Sequence, residues 1–308
     1  MSGSRGTTGT DGTDWLRRAG SLAQPGRPMA IDPKAAGWPY SGMQILDLAA
    51  MPEQHLDLRD TEAVLLSLSS PNVRLEVDGT IVDLTGRSGV FAGVSDWAYL
   101  PVGSQVRVTG EPGEVALCTA VAEQVLPMQV VRADAVPVEV RGAGQATRQV
   151  NNIATPTSFT GAQRINVCEV LTPGGNWSSW PPHRHDGLAD CPYQNEEIYY
   201  FRMGNGTSDH GTPHGGGLFR IYTVDGSVDQ TWTIWDGDVV LVPQGYHGPT
   251  VAPPEYPMYF LNVLAGPGAE RTMGFCDDPA HHWIRQAWEA QDQDPRCPMT
   301  TAKGKVSR

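Results

Sequence analysis

VRLEVDGTIVDLTG (73–86) alternates apolar and polar residues on both sides of Asp78-Gly79. Alternation with period two gives an extended strand one apolar and one polar face. Asp-Gly favours the tight turn that joins two such strands, so this stretch predicts a hairpin. Similar β-rich runs recur as QVRVTG (105–110), RINVCEVLT (164–172), EIYYFR (197–202), LFRIYTVDG (218–226) and DVVLVPQG (238–245). The 35 glycines and 25 prolines of the chain supply frequent turns between such runs. Only WIRQAWEAQ (283–291) carries a helical period, and AMPEQHLDLRDTEAVLL (50–66) fits either structure. The pattern predicts an all-β sandwich or barrel with few helices.

A chain of 308 residues has room for one large or two ordinary domains. Its net charge of −12 argues against partners that attract cations, such as nucleic acid or an anionic membrane face. No apolar run is long enough to span a membrane. Residues 1–28 are rich in Gly, Thr and Ser and lack the apolar stretch of a signal peptide, so a disordered tail is expected there. A second flexible tail is expected over 291–308. The five cysteines are odd in number, widely spaced and without a C-x-x-C pair. Reduced thiols in a cytoplasm are the simplest reading.

One internal echo divides the chain. Asp96 to Gly103 and Asp238 to Gly245 both read D-x-x-x-x-P-x-G with apolar residues between. This points to one strand and turn repeated in two related halves, placed at 29–150 and 151–290 with a linker near 141–160. Two residues beyond the second copy stands His247, where the first copy has Gln105. Chemistry is therefore expected in the second half alone.

Seven of the eight histidines also lie there. In an extended segment His183 and His185 project to the same side and Arg184 to the other. Glu197 shares a strand face with Tyr199 and Phe201, while Glu196 points away and reads as solvated or salt-bridged. His247 completes a candidate set of His183, His185, Glu197 and His247. Three imidazoles and one carboxylate suit Zn²⁺, Mn²⁺ or Fe²⁺ better than Ca²⁺. His210 and His214 fall in a Gly-rich loop, His281 and His282 read as structural, and Cys168 reads as core.

These residues resemble the cupin superfamily, whose first motif matches Glu197 and Gly204 and whose second matches Gly237, Pro243 and Gly245. Departures are the seven residues between Gly175 and His183, the eleven between His185 and Glu197, and the early position of His247. A narrower resemblance, to the 5-deoxy-glucuronate isomerase family of inositol catabolism, rests on RQVNN (148–152), EVLTPGGNWSSWPPHRHD (169–186), EEIYYFR (196–202), DGDVVLVPQGYHGPTVAPP (236–254) and LNVLAGP (261–267). It implies two tandem cupin barrels, the first without metal ligands and the second holding one divalent metal ion, zinc first and manganese or iron as alternatives.

The resemblance also implies isomerisation of 5-deoxy-D-glucuronate to 2-deoxy-5-keto-D-gluconate. A metal-assisted proton transfer through an enediolate would serve, as would a hydride shift. The base is open among Tyr246, Tyr199 and Glu169. For the carboxylate of a small anionic sugar acid the candidates are Arg148 and Arg220, with Arg271, Arg164 and Arg202 behind them. The competing readings are an isomerase of another deoxy-uronate, an iron oxygenase, and a non-catalytic sugar-binding bicupin. Two β-barrels with open sheet edges also lead us to expect a homo-oligomer.

Overall fold

The computed structural model describes residues 15–188, 190–204 and 215–307. Strands dominate them, and the two α-helices among the described residues, Pro33–Ala36 and Ile284–Ala287, are single turns. The opening hairpin forms as expected, with Asn72–Val77 paired to Thr80–Thr85. Both turn residues, Asp78 (φ 48°) and Gly79 (φ 84°), take the positive φ that such a turn requires. The ambiguous stretch at 50–66 supplies two strands, Glu53–Asp57 and Thr61–Ser67. No described helix is long and apolar enough to cross a membrane.

The first half stacks a four-stranded sheet (Glu53–Asp57, Gln105–Gly110, Asn72–Val77, Thr80–Thr85) on a six-stranded one that includes Ser41–Asp47, Thr61–Ser67, Trp97–Leu100 and Glu114–Val121. Leu46, Leu65, Leu75, Val108 and Leu117 fill the space between the two sheets. Each such buried aliphatic side chain contributes about 1.5–3 kcal/mol before chain entropy is counted. The second half faces a seven-stranded sheet, with Glu196–Met203, Met258–Ala265, Asn166–Thr172, Arg148–Ala154 and Val138–Arg141 consecutive in it, towards a sheet containing Gly217–Tyr222, Tyr246–Val251 and His183–Arg184. The large sheets of the two halves meet back to back. Met43 and Ile45 of one share an apolar cluster with Ile198, Tyr200 and Val263 of the other.

The two D-x-x-x-x-P-x-G segments are structural counterparts. Each supplies a strand, Trp97–Leu100 or Val239–Val242, and ends on a glycine of positive φ, 84° at Gly103 and 86° at Gly245. Asp96 accepts hydrogen bonds from Arg132 and the Ala133 amide. Asp238 accepts them from Arg18 and the Ala19 amide.

Several expectations need correction. Residues 15–28 are not disordered: Leu16 and Arg17 pair with Val240 and Val239, adding a strand to the sheet of the second half. The stretch 291–307 is not loose, because Thr300–Thr301 pairs with Gly304–Lys305 and the Gln149 amide binds Thr300. The boundary drawn at 150 falls inside the strand Arg148–Ala154, and Val138–Arg141 pairs with that strand. A hairpin thus occupies the expected linker. Glu196 is not solvated; it accepts hydrogen bonds from the Tyr40 and Ser41 amides. Two of the five cysteines are not free thiols, since Cys191 and Cys276 form a disulfide. Arg184 and Cys276 are register partners, and Cys191 folds back so that its Sγ lies 3.4 Å from the Arg184 carbonyl oxygen. Cys118, Cys168 and Cys297 are buried and form no disulfide.

Candidate metal centre and cavity

Strand pairing assembles the cluster. His183 and His247 are register partners on adjacent strands, which brings their rings to 4.5 Å between centroids. His185 lies two residues further on. Arg184, itself buried, turns away to pair with Asp186, the exposed Asp190 and the Leu188 carbonyl. On the facing sheet Glu197 and Tyr199 look into the barrel, while Ile198 and Tyr200 pack against the first half.

His185, Glu197 and His247 converge, all buried, with one ligand atom from each lying within 4.8 Å of the others. One carboxylate oxygen, Glu197 Oε2, is 3.0 Å from His185 Nε2 and 3.1 Å from His247 Nε2. The Nδ1 atoms face backbone carbonyls: Asn195 at 2.9 Å for His185, Gly245 at 3.4 Å for His247 and Pro181 at 3.3 Å for His183. Donating Nδ1–H to a carbonyl leaves the Nε2 lone pair free to ligate, the usual arrangement behind metal-bound imidazoles. His247 Nε2 is buried without a hydrogen bond, although Glu197 Oε2 lies 3.1 Å away. A cation would satisfy that atom together with the neighbouring acceptors.

The charges agree. Burial opposes ionisation of Glu197, but its contacts with His185 and His247 outweigh this and hold its pKa at about 2. Burial, then the nearby His247 and His185, push His183 well below its ordinary value, towards the neutral form a ligand needs. Burial also works against charged His185, but Glu197 more than compensates and raises it. The donor set fits a divalent transition metal.

His183, His185 and Glu197 line a cavity of about 560 Å³. Tyr199, Asn262, Cys168 and Val150 line it, as do three guanidinium groups, Arg141, Arg148 and Arg285. Arg141 pairs with Glu139 at 2.9 Å, and Arg285 pairs with Asp277 through two bonds of 2.5 and 2.6 Å. Arg148 has no carboxylate partner among the described residues. It donates to the Ala146 carbonyl at 3.1 Å and lies over the Trp288 ring. Burial first, then the charges of Arg141 and Arg285, bring its pKa down to about 10.

The other candidates scatter. Tyr199 lines the cavity with its hydroxyl 3.3 Å from Ser179 Oγ, and burial raises its pKa, keeping it a neutral phenol. Tyr246 precedes His247 in the strand and packs against Tyr222 and Arg184 instead. Arg220 is absent from the cavity wall; it pairs with Asp229 and covers Tyr222. Glu169 faces the first half, where it meets Arg87 and Tyr259. Arg271 is taken up by backbone carbonyls, Arg202 by Glu114 and Asp236, and Arg164 by the Gly266 carbonyl and the Tyr40 ring. His281 stacks near Trp180 and His282 pairs with Asp277. His210 and His214 lie outside the described residues. Arg141, Arg285 and Asn262 line the cavity without having been expected there. Alternation in VEVR was the only local hint, and it does not say which face meets the site.

Comparison with known proteins agrees with this architecture. The KduI/IolB family profile matches residues 15–284. The 5-deoxy-glucuronate isomerase of Geobacillus kaustophilus is 37% identical over 275 residues, covering 88% of this chain and 95% of that protein. The protein of the same name from Bacillus subtilis strain 168 is 35% identical, covering 80% and 88%. Among solved structures, an IolB-like protein of Salmonella typhimurium superposes with a TM-score of 0.79 at 30% identity, over 89% of this chain and all of that one. Oxalate decarboxylase of Lactobacillus farciminis, at TM-score 0.55 and 13% identity over 78% and 81%, shares the two-cupin fold alone. The chain is a member of the KduI/IolB family.

Proposed function

We propose that this protein is an aldose–ketose isomerase that converts 5-deoxy-D-glucuronate to 2-deoxy-5-keto-D-gluconate. The observation that carries the reading is one cavity lined both by residues of a metal-type donor cluster and by a carboxylate-free arginine, Arg148, whose strand lies three along the sheet from that of Glu197. A uronate has a hydroxy-aldehyde at one end and a carboxylate at the other. Curated relatives over most of the chain share the name 5-deoxy-glucuronate isomerase, so neither an isomerase of another uronate nor a non-catalytic sugar binder is favoured.

His185, Glu197 and His247 hold the ion, with His183 as the fourth ligand, and zinc is the ion proposed. When bound, the metal supplies Lewis acidity to the carbonyl and hydroxyl oxygens of the substrate. Arg148 binds the carboxylate and fixes the direction in which the sugar acid lies. The neutral Tyr199 phenol donates a hydrogen bond to the oxygen that gains negative charge. In the reaction the C–H bond at C2 breaks and one forms at C1, while the C2 hydroxyl proton ends on O1.

Proton NMR in D₂O tests the reading. Loss of the aldehyde signal with growth of the ketose, and deuterium at C1, is the expected result. Ketose without deuterium would replace proton exchange with a hydride shift, and an unchanged aldehyde would overturn the substrate assignment. We also propose a homo-oligomer, on the open edges of the sheets. Light scattering that returns the monomer mass would overturn that.

A further inference from the structure

Asn262 lies on the cavity floor in the strand Met258–Ala265, where its register partners on either side are Tyr199 and Cys168. It is 3% exposed. Its Oδ1 is 3.9 Å from the Cys168 thiol, a weak contact, and its Nδ2 has no hydrogen-bond partner among the described residues. Tyr199, its register partner, has its hydroxyl 3.3 Å from Ser179 Oγ. Unpaired buried polar atoms are uncommon in native proteins, and of the seven among the described residues Asn262 Nδ2 is the one whose residue lines the cavity.

Its position says what it would bind. Asn262 stands one strand from Glu197 and two strands from Arg148, with strands about 4.8 Å apart. The floor between Asn262 and Arg148 is Cys168, Val170 and Val150, which offer no strong hydrogen-bonding group. Read from the metal end, the floor presents ligands, one amide donor, an apolar stretch and then Arg148, beside the carboxylate-paired Arg141 and Arg285. The sugar acid of the proposed function has the same order: a hydroxy-aldehyde at C1 and C2, hydroxyls at C3 and C4, a methylene at C5 and a carboxylate at C6.

Resting on that functional reading, we infer that Asn262 is the specificity-determining residue for the middle of the substrate, its side-chain amide turning so that Nδ2, covered by the floor in the free protein, donates to the C3 or C4 hydroxyl oxygen. The apolar stretch beyond it then faces the deoxygenated carbon. A site built to hydrogen-bond a hydroxyl discriminates strongly against a substrate that lacks it, because its own polar group is left unpaired.

The test compares the wild type with Asn262→Ala and Asn262→Leu. The substrates are 5-deoxy-D-glucuronate and its analogues lacking, in addition, the C3 or the C4 hydroxyl. Turnover is followed by NMR, binding by calorimetry, and metal content and thermal unfolding are recorded in parallel. Both variants are expected to lose about tenfold to a hundredfold in kcat/KM and in affinity on the full substrate. On one of the two analogues that penalty is expected to vanish. Asn262→Leu removes the orphaned amide from an apolar floor and should keep metal and unfold no earlier than wild type, which a purely structural asparagine would not allow. If the wild type turns over and the variants match it, or lose equally on every substrate, the role of Asn262 is refuted while the isomerase reading stands. If the wild type neither binds nor converts 5-deoxy-D-glucuronate, both fail together.

Discussion

Glu62 and Glu196 occupy matching positions in the two halves, and each binds the strand that enters the other half. Glu62 accepts the amides of Gln163, Arg164 and Ile165 at 2.6–2.8 Å, ahead of the strand Asn166–Thr172, together with the Tyr99 hydroxyl. Glu196 accepts the amides of Tyr40 and Ser41 at 3.0 and 2.8 Å, at the start of Ser41–Asp47. This exchange ties the barrels together and explains why two adjacent glutamates differ: Glu196 holds the interface and Glu197 faces the site. At the position equivalent to Glu197 the first half has Ala63.

Glu62 is fully buried and Glu196 only partly so. Glu62→Ala strands three amides and should lower the unfolding free energy by about 3 kcal/mol, against about 1–2 kcal/mol for Glu196→Ala. Urea denaturation measures both. Equal or negligible losses would show that these carboxylates do not hold the interface.

Arg87 and Glu169 form a second link between the halves, an ion pair with side chains 2% and 0% exposed. Removing one partner leaves a buried charge, so Arg87→Leu should cost about 3–5 kcal/mol, and Arg87→Leu with Glu169→Leu should recover part of it. A double variant as unstable as the sum of the singles would rule out direct coupling.

Arg148→Gln should retain the metal and lose about tenfold to a hundredfold in kcat/KM, chiefly through KM. Arg220→Gln, at a residue paired with Asp229 away from the cavity, should leave both constants unchanged. Reversed effects would move the carboxylate subsite to the strand Gly217–Tyr222.

The C-terminal segment is structural. Gln149 accepts the Met299 and Thr300 amides and donates to the Thr300 carbonyl and hydroxyl. Truncation before Met299 removes four of these bonds, leaving the buried Gln149 amide only its bond to Asn151 Oδ1 at 2.7 Å, and should cost about 2 kcal/mol, or roughly 3 °C in Tm. An unchanged melting curve would show the segment to be dispensable.

What was legible in the sequence was local. The Asp78-Gly79 turn, the paired D-x-x-x-x-P-x-G segments and the shared side of His183 and His185 follow from rules that act over a few residues. The same parity rule separates Tyr246 from His247, since neighbours in a strand face opposite ways. Contacts closed by the folded sheet were not legible. Cys191 and Cys276 are 85 residues apart in sequence, and Leu16 meets Val240 only once the second barrel exists. Arg141 and Arg285 reach the cavity from a hairpin and a helical turn that carry no motif. Composition marked both tails as loose because it registers turn residues and polarity, not a waiting sheet edge.

The most direct test concerns the three buried donors. Bound metal and turnover of 5-deoxy-D-glucuronate would be measured on the same preparations of wild type, chelated and reconstituted protein, and Glu197→Gln. The account predicts one divalent ion per chain in the wild type, loss of metal and activity together on chelation, and return of both on reconstitution. Glu197→Gln should stay folded while binding metal weakly and turning over at least a hundredfold more slowly. Full activity in metal-free protein, or an unimpaired Glu197→Gln, would contradict the assignment of His185, Glu197 and His247 as the centre of the site.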